Sequence, residues 1–264
     1  MCEKPTNHRA HPGQFRRGWD RLGQRTQMHA SMYARRTMGC MTDRILLPWH
    51  DPAPRSVALR LAATVAQQIV EGRRAAGDLV TEAQLVEAFG VSRTPAREAM
   101  VQLQSWGLVR LAPKKGGVVT VVSPTERRDL LDVRATLEIR SVQVVAGSAA
   151  DRTSLAATLR ASLDAQQRAL DAGDLLDFAG EDFGFHLRII EAGGNAVVAE
   201  MASALGPRFA RLTHLAVSGG GAAARLFRAE HEALIGPIEA GDPAGFATAV
   251  REHLRSAHFP GELA

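Results

Sequence analysis

From Ser56 the apolar residues Val57, Leu61, Val65, Ile69 and Val70 recur every three to four positions, predicting an amphipathic helix that stops near Gly72. After Gly77-Asp78, the run Thr81-Glu82-Ala83-Gln84 has the form of a capping box and predicts a short second helix ending at Phe89. Gly90-Val91 turns the chain, and Ser92 is placed as the N-cap of a third helix whose apolar stripe is Ala96, Ala99, Met100 and Leu103. Trp106-Gly107 closes that helix. Two β-rich runs, Leu108 to Leu111 and Val118 to Val122, flank Ala112-Pro113-Lys114-Lys115-Gly116-Gly117 and predict a hairpin with a basic tip. Everything beyond Val122 has helical periodicity. The expected segments run from Ser123 to about Ala150, about Thr153 to Ala172, Asp174 to Ala192, Asn195 onward with an interruption at Gly206-Pro207, about Ala222 to Ala240, and Pro243 to about Phe259.

The pattern therefore predicts a mainly α protein in three parts. Residues 1–54 show no sustained periodicity and read as a disordered or poorly ordered extension. Residues 55–122 carry the element order of a winged helix-turn-helix, with three helices and a β-hairpin wing. Residues 123–264 read as an antiparallel bundle of about six helices.

Charge sharpens this division. The formal net charge of +4 is distributed as +5 over residues 1–54, +4 over 55–122 and −5 over 123–264. A basic front suits an anionic polymer, and the acidic back suits another partner. Both cysteines, Cys2 and Cys40, precede the predicted domains, so neither a disulfide framework nor a cysteine zinc site is expected to hold the fold. Apolar runs are broken too often for a membrane span, and the N-terminus lacks the apolar core of a secretory signal. A cytoplasmic protein follows as the expectation.

Arg93, Thr94 and Arg97 fall in the first turns of the third helix, on the face opposite its apolar stripe. A helix N-terminus attracts phosphate, and arginine can fork onto guanine O6 and N7, so this tip predicts a major-groove reader. Lys114, Lys115 and Gly116 form a wing suited to the DNA backbone or minor groove. Solvated helix-face charge is the competing reading for the arginines. The run Val91-Ser92-Arg93-Thr94-Pro95-Ala96-Arg97-Glu98-Ala99-Met100, followed by Leu103, Trp106-Gly107-Leu108-Val109 and Gly116, resembles the signature of GntR-type bacterial regulators. The resemblance implies that Arg93, Thr94, Arg97 and a wing residue contact operator DNA. Ala83 stands where many members carry a DNA-contacting arginine, so that contact is expected to be missing.

In the C-terminal segment Asp182 and His186 are four residues apart, hence on one helix face. His231 and His253 lie on either side of the Gly241-Asp242 turn, each about ten residues and so roughly 15 Å from it. One carboxylate and three imidazoles at one level suit Zn²⁺, with Ni²⁺, Mn²⁺ and Fe²⁺ left open. His214 and His258 fit no such arrangement and read as structural or exposed. Arg134 points toward an otherwise acidic bundle and suits bidentate carboxylate binding, a salt bridge to Glu138 being the alternative. The segment resembles the FCD-type effector domain of the FadR subfamily, through Asp132-Val133-Arg134-Ala135-Thr136-Leu137-Glu138, Asp182-Phe183-Gly184-Phe185-His186, Gly194-Asn195, Glu230-His231, Gly241-Asp242 and His253. It implies a metal held by Asp182, His186, His231 and His253, and a small organic acid bound between metal and Arg134. Gly236-Pro237 departs from the pattern and predicts a bend below His231.

Together these readings predict a homodimeric bacterial regulator that binds double-stranded operator DNA, responds to a small carboxylate, and acts as a repressor. Two rivals stay open: a direct sensor with the metal as its effector, and a metal-dependent hydrolase fused to a DNA-binding head. The hydrolase is disfavoured because no H-E-x-x-H or similar spacing supplies a general base beside the ion.

Overall fold

The computed structural model describes residues 47–259 apart from Pro52 and Lys114, so the predicted extension up to residue 46 lies outside it. The head begins with α1 (Val57–Val70), capped by Ser56, whose hydroxyl accepts from the Leu59 N–H. A short strand β1 (Leu79–Val80) leads into α2 (Glu82–Phe89), where the Thr81 hydroxyl and Gln84 side chain form the predicted capping box. Gly90 ends α2 in the left-handed conformation. Helix α3 (Arg93–Ser105) follows, then β2 (Val109–Ala112) and β3 (Gly116–Val119). Ser92 sits at the N-cap position of α3, but its side chain makes no capping hydrogen bond.

The sheet has three strands in the order β1-β3-β2, all antiparallel, rather than the two-stranded hairpin expected. Leu79 and Val80 are too few to alternate, which is why β1 left no signal in the pattern. Strand β3 also starts and stops earlier than the Val118–Val122 run suggested, and Thr120 instead pairs its N–H with the Leu108 carbonyl. Leu61, Val65, Ile69, Leu85, Met100, Leu103, Val109 and Val119 fill the head core. Gly117 is buried against it. A Cβ there would stand 2.2 Å from Val109 Cγ1 and 2.8 Å from Met100 Cε. Gly117→Ala is therefore expected to destabilise the head by about 1–3 kcal/mol through overpacking. An unchanged urea midpoint would contradict the packing described.

Six helices form the bundle: α4 (Pro124–Val145), α5 (Ala149–Ala172), α6 (Leu175–Ala192), α7 (Ala196–Val217), α8 (Gly221–Ala240) and α9 (Pro243–His258). Helix α4 ends five residues short of the expectation. Gly147 and the Ser148 cap start α5 there, the Ser148 hydroxyl accepting from the Asp151 N–H. Proline does not end either bundle helix that carries it well inside: α7 runs on through Pro207, and α8 through Pro237 to Ala240. Phe183, Phe185, Phe209, Leu212, Leu234, Ile238 and Phe246 are among the residues of the main bundle core. Among the described residues, no helix is long and apolar enough to cross a membrane.

Residues 47–50 depart from the reading of 1–54 as one extension. Leu47 is buried in the bundle core, and Trp49, in a 3-10 turn (Pro48–His50), packs against both cores. Two isolated apolar residues flanking a proline give no periodicity, so only three-dimensional packing reveals them.

Candidate DNA-reading surface and metal centre

On the head, burial of Ala96, Ala99, Met100 and Leu103 turns the opposite face of α3 outward, leaving Arg93, Thr94 and Arg97 exposed at its N-terminal end. The Ser92 hydroxyl caps none of the first-turn N–H groups of this helix. Lys115 is exposed at the wing, and Gly116 takes a φ of +89° where its backbone crosses Val80; a Cβ would lie 2.5 Å from the Val80 carbonyl oxygen. Gly116 is thus a turn and packing residue. Lys114, the other predicted wing contact, lies outside the described residues.

In the bundle, Asp182 and His186 from α6, His231 from α8 and His253 from α9 converge, all buried, with one donor atom from each within 4.8 Å of the others. The rings of His186 and His253 stack at 5.4 Å, and His231 meets them edge-on at 4.9 and 4.7 Å. Phe185 covers the far face of His231, with ring centroids 4.6 Å apart. Three second-layer acceptors hold the imidazoles: Glu138 Oε2 lies 2.9 Å from His186 Nδ1, Gln166 Oε1 2.9 Å from His231 Nδ1, and Glu230 Oε2 2.8 Å from His253 Nδ1. With an acceptor at Nδ1, the neutral tautomer that would serve a metal carries its proton there and turns an Nε2 lone pair toward the ion.

These lone pairs point inward. His186 Nε2 and His231 Nε2 face each other at 3.1 Å, Asp182 Oδ1 is 3.2 Å from His231 Nε2, and His253 Nε2 and Asp182 Oδ1 are buried without a hydrogen-bond partner. Lone pairs opposed at such distances repel unless a cation lies among them, so the donor set fits a divalent ion with N/O preference. The Thr213 hydroxyl, from α7, donates to Asp182 Oδ2 at 2.8 Å and fixes which oxygen turns inward.

The electrostatics agree. Burial drives the His186 imidazole well below its ordinary value and His253 down to about 4, so both rings are neutral, the form a metal would need. Burial opposes ionisation of Asp182, yet contact with His231 and the Arg134 guanidinium holds its carboxyl well below the usual range. Glu138 is pushed up to about 8 by burial, with Arg134 pulling the other way. Glu138→Gln weakens the acceptor that orients His186 and is expected to lower metal affinity about 10- to 100-fold. A chelator-competition titration checks this, and unchanged affinity would remove Glu138 from the site.

Arg134, 1% exposed, forms the alternative salt bridge: Nε donates to Glu138 Oε1 at 3.2 Å and Nη1 lies 3.6 Å from Asp182 Oδ2. Only Nη2 remains without a partner, so a forked grip on a carboxylate is replaced by a single free donor. Glu138, Gln166, Glu230 and Thr213 went unrecognised as supports, since acidic and amide side chains on helices are ordinary until their partners are known. Of the two readings left open for His258, structural or exposed, burial selects the first, and the residue lies outside the ligand set. His214 is half-buried and outside the cluster.

An exposed cationic helix tip on a winged head, joined to a bundle with a buried donor set, defines the architecture of a DNA-binding regulator. Residues 57–119 match the gntR family of bacterial regulatory proteins, and residues 129–256 match the FCD domain. The chain belongs to the GntR family of transcription regulators, with an FCD-type C-terminal domain, and not to a family of enzymes. An HTH-type transcriptional regulator in an unstable DNA locus of Streptomyces ambofaciens is 30% identical over 72% of this chain and 78% of its own. A probable D-xylose utilization operon transcriptional repressor of Paenarthrobacter nicotinovorans is 26% identical over 78% of this chain and 88% of its own. The solved structure of E. coli McbR/YncC shares the fold, with a TM-score of 0.62 and 23% identity over 77% of this chain and 95% of that one.

Proposed function

We propose that this regulator is a homodimeric repressor whose grip on operator DNA is set by a small organic acid bound at a divalent metal in each bundle. The observation that carries the reading is the convergence of four buried donor atoms, from Asp182, His186, His231 and His253, within 4.8 Å of one another, two of them without a hydrogen-bond partner. When bound there, Zn²⁺ or a similar ion supplies a Lewis-acid position for a carboxylate. Arg134 Nη2 is the free protein donor beside it. The relative named for D-xylose utilization supports an effector derived from a sugar.

Helix α7 offers a route from this centre to the head. Thr213 holds Asp182; two residues earlier, Arg211 Nη1 donates to Thr120 Oγ1 at 3.1 Å, and that hydroxyl donates in turn to the Gly107 and Leu108 carbonyls. Arg208, one turn before, pairs with Glu126 and lies against Gly107, the glycine with φ +69° that closes the reading helix. A ligand that repositions Asp182 thereby bears on the turn behind α3. Arg211→Met is expected to keep metal and operator affinity while shrinking the ligand-induced change in operator affinity. An undiminished ligand response would exclude Arg211 from the route.

Binding itself is tested by a thermal-shift screen of small organic acids against zinc-loaded and chelator-treated protein. An acid at one hundred times its Kd stabilises by about 2.7 kcal/mol. The reading expects acids that act only on the zinc-loaded form, and acids that act equally on both forms would contradict it. A metal shift without any acid response favours the direct metal sensor.

A further inference from the structure

Ten buried side-chain nitrogen or oxygen atoms among the described residues lack a hydrogen-bond partner, and six of them are on Arg134, Gln166, Asp182, His253 and His258. Asp182 Oδ1 and His253 Nε2 are accounted for by the metal. The rest are Arg134 Nη2, Gln166 Nε2 and both ring nitrogens of His258.

His258 is the one that no earlier step explains. It is 2% exposed at the last turn of α9, and its ring meets Phe227 edge-on at 5.4 Å. The same Phe227 meets the metal-ligand candidate His253 edge-on at 5.8 Å, so one phenyl ring spaces the two imidazoles. Arg127 Nη1 donates to the His258 carbonyl at 3.1 Å, which ties this end of α9 to the start of α4. The residue is thus held firmly while its two polar atoms go unused, an arrangement that burial penalises unless a ligand meets them. The FCD match covers residues 129–256, and His258 lies two residues beyond its end.

We propose that His258 contacts the effector beyond its carboxylate, at a hydroxyl group, and so selects hydroxylated acids over plain ones. This rests on the acid-effector reading above. A neutral imidazole has one donor and one acceptor nitrogen, and a hydroxyl, which both donates and accepts, can meet either one, so two hydroxyl groups of a ligand can use both. A second carboxylate could use only the donor. Burial, which pushes the His258 imidazole down to about 3, keeps that neutral form. The Gln166 amide and Arg134 Nη2 add donors for the remaining oxygens.

The test uses full-length, zinc-loaded protein with two probes of equal carbon number, D-gluconate and hexanoate, and isothermal titration of each. Wild type is expected to bind gluconate at least tenfold more tightly than hexanoate. His258→Phe should lower gluconate affinity tenfold or more, with hexanoate affinity within twofold and zinc affinity within threefold of wild type. His258→Asn, which restores a donor and an acceptor, should recover part of the gluconate affinity. Unchanged gluconate affinity in His258→Phe, or equal losses for both acids, would overturn the role of His258. A wild type that prefers hexanoate would do the same while leaving the acid-effector reading intact. Failure of both acids to bind the zinc-loaded wild type would overturn that reading and this inference with it.

Discussion

His231→Ala is expected to lower zinc affinity by more than about 100-fold, exceeding the 10- to 100-fold losses typical when only a supporting residue is changed. His231 is central in the cluster: its Nε2 lies 3.1 Å from His186 Nε2 and 3.2 Å from Asp182 Oδ1. Its other nitrogen is anchored by Gln166 and its ring face is covered by Phe185, so the side chain is held in place before any ion arrives. In wild type, zinc at one hundred times its Kd is expected to add about 2.7 kcal/mol, or roughly 5–10 °C in a domain of this size. In His231→Ala that zinc-dependent shift should vanish at the same concentration. Differential scanning fluorimetry with and without zinc checks it, and a shift equal to wild type would place the ion elsewhere.

The second large effect belongs to the head. Arg97→Ala is expected to weaken binding to a selected operator by about 1–3 kcal/mol at fixed salt, the range for loss of a base-reading arginine. Arg97 is exposed and lies opposite the buried stripe of α3, so the same change should alter folding stability by no more than about 0.5 kcal/mol. Lys115→Ala provides the contrast. A wing lysine on phosphate should weaken all duplexes similarly and reduce the salt dependence of binding by about one counterion. If Arg97→Ala weakened selected and random duplexes equally, its role would be phosphate contact rather than base reading.

How far the sequence discloses these sites depends on the kind of residue. Asp182, His186, His231 and His253 were legible because helical spacing and the Gly241-Asp242 turn convert separations along the chain into positions in space. Their rings indeed lie within 5.4 Å of one another. The supports were not legible, because Gln166 and Thr213 carry no pattern of their own, and their roles come from which helices pack side by side. Helix ends followed the capping chemistry well at Thr81, Ser123, Asp174 and Asn195. The expectation failed where a weaker signal was passed over, as at Ser148, or where proline was read as an interruption, as at Gly206-Pro207. Pro207 and Pro237 are carried inside helices whose packing against the core outweighs the missing hydrogen bond. Leu47 and Trp49 show the same limit from the other side: without periodicity, Leu47 still enters the bundle core and Trp49 packs against both cores.

Control of the reading head from the proposed metal site is tested by measuring operator affinity as an organic acid is titrated, once with zinc bound and once after chelation. The operator is obtained by selection from random duplexes with the wild-type protein, and affinity is read by fluorescence anisotropy at constant salt. With zinc, an acid that binds the bundle should change operator affinity by about 5- to 150-fold, the usual span of allosteric coupling. After chelation the same acid should leave operator affinity unchanged. An acid response of equal size in both forms, or none in the zinc-loaded form with the acid demonstrably bound, would contradict the account.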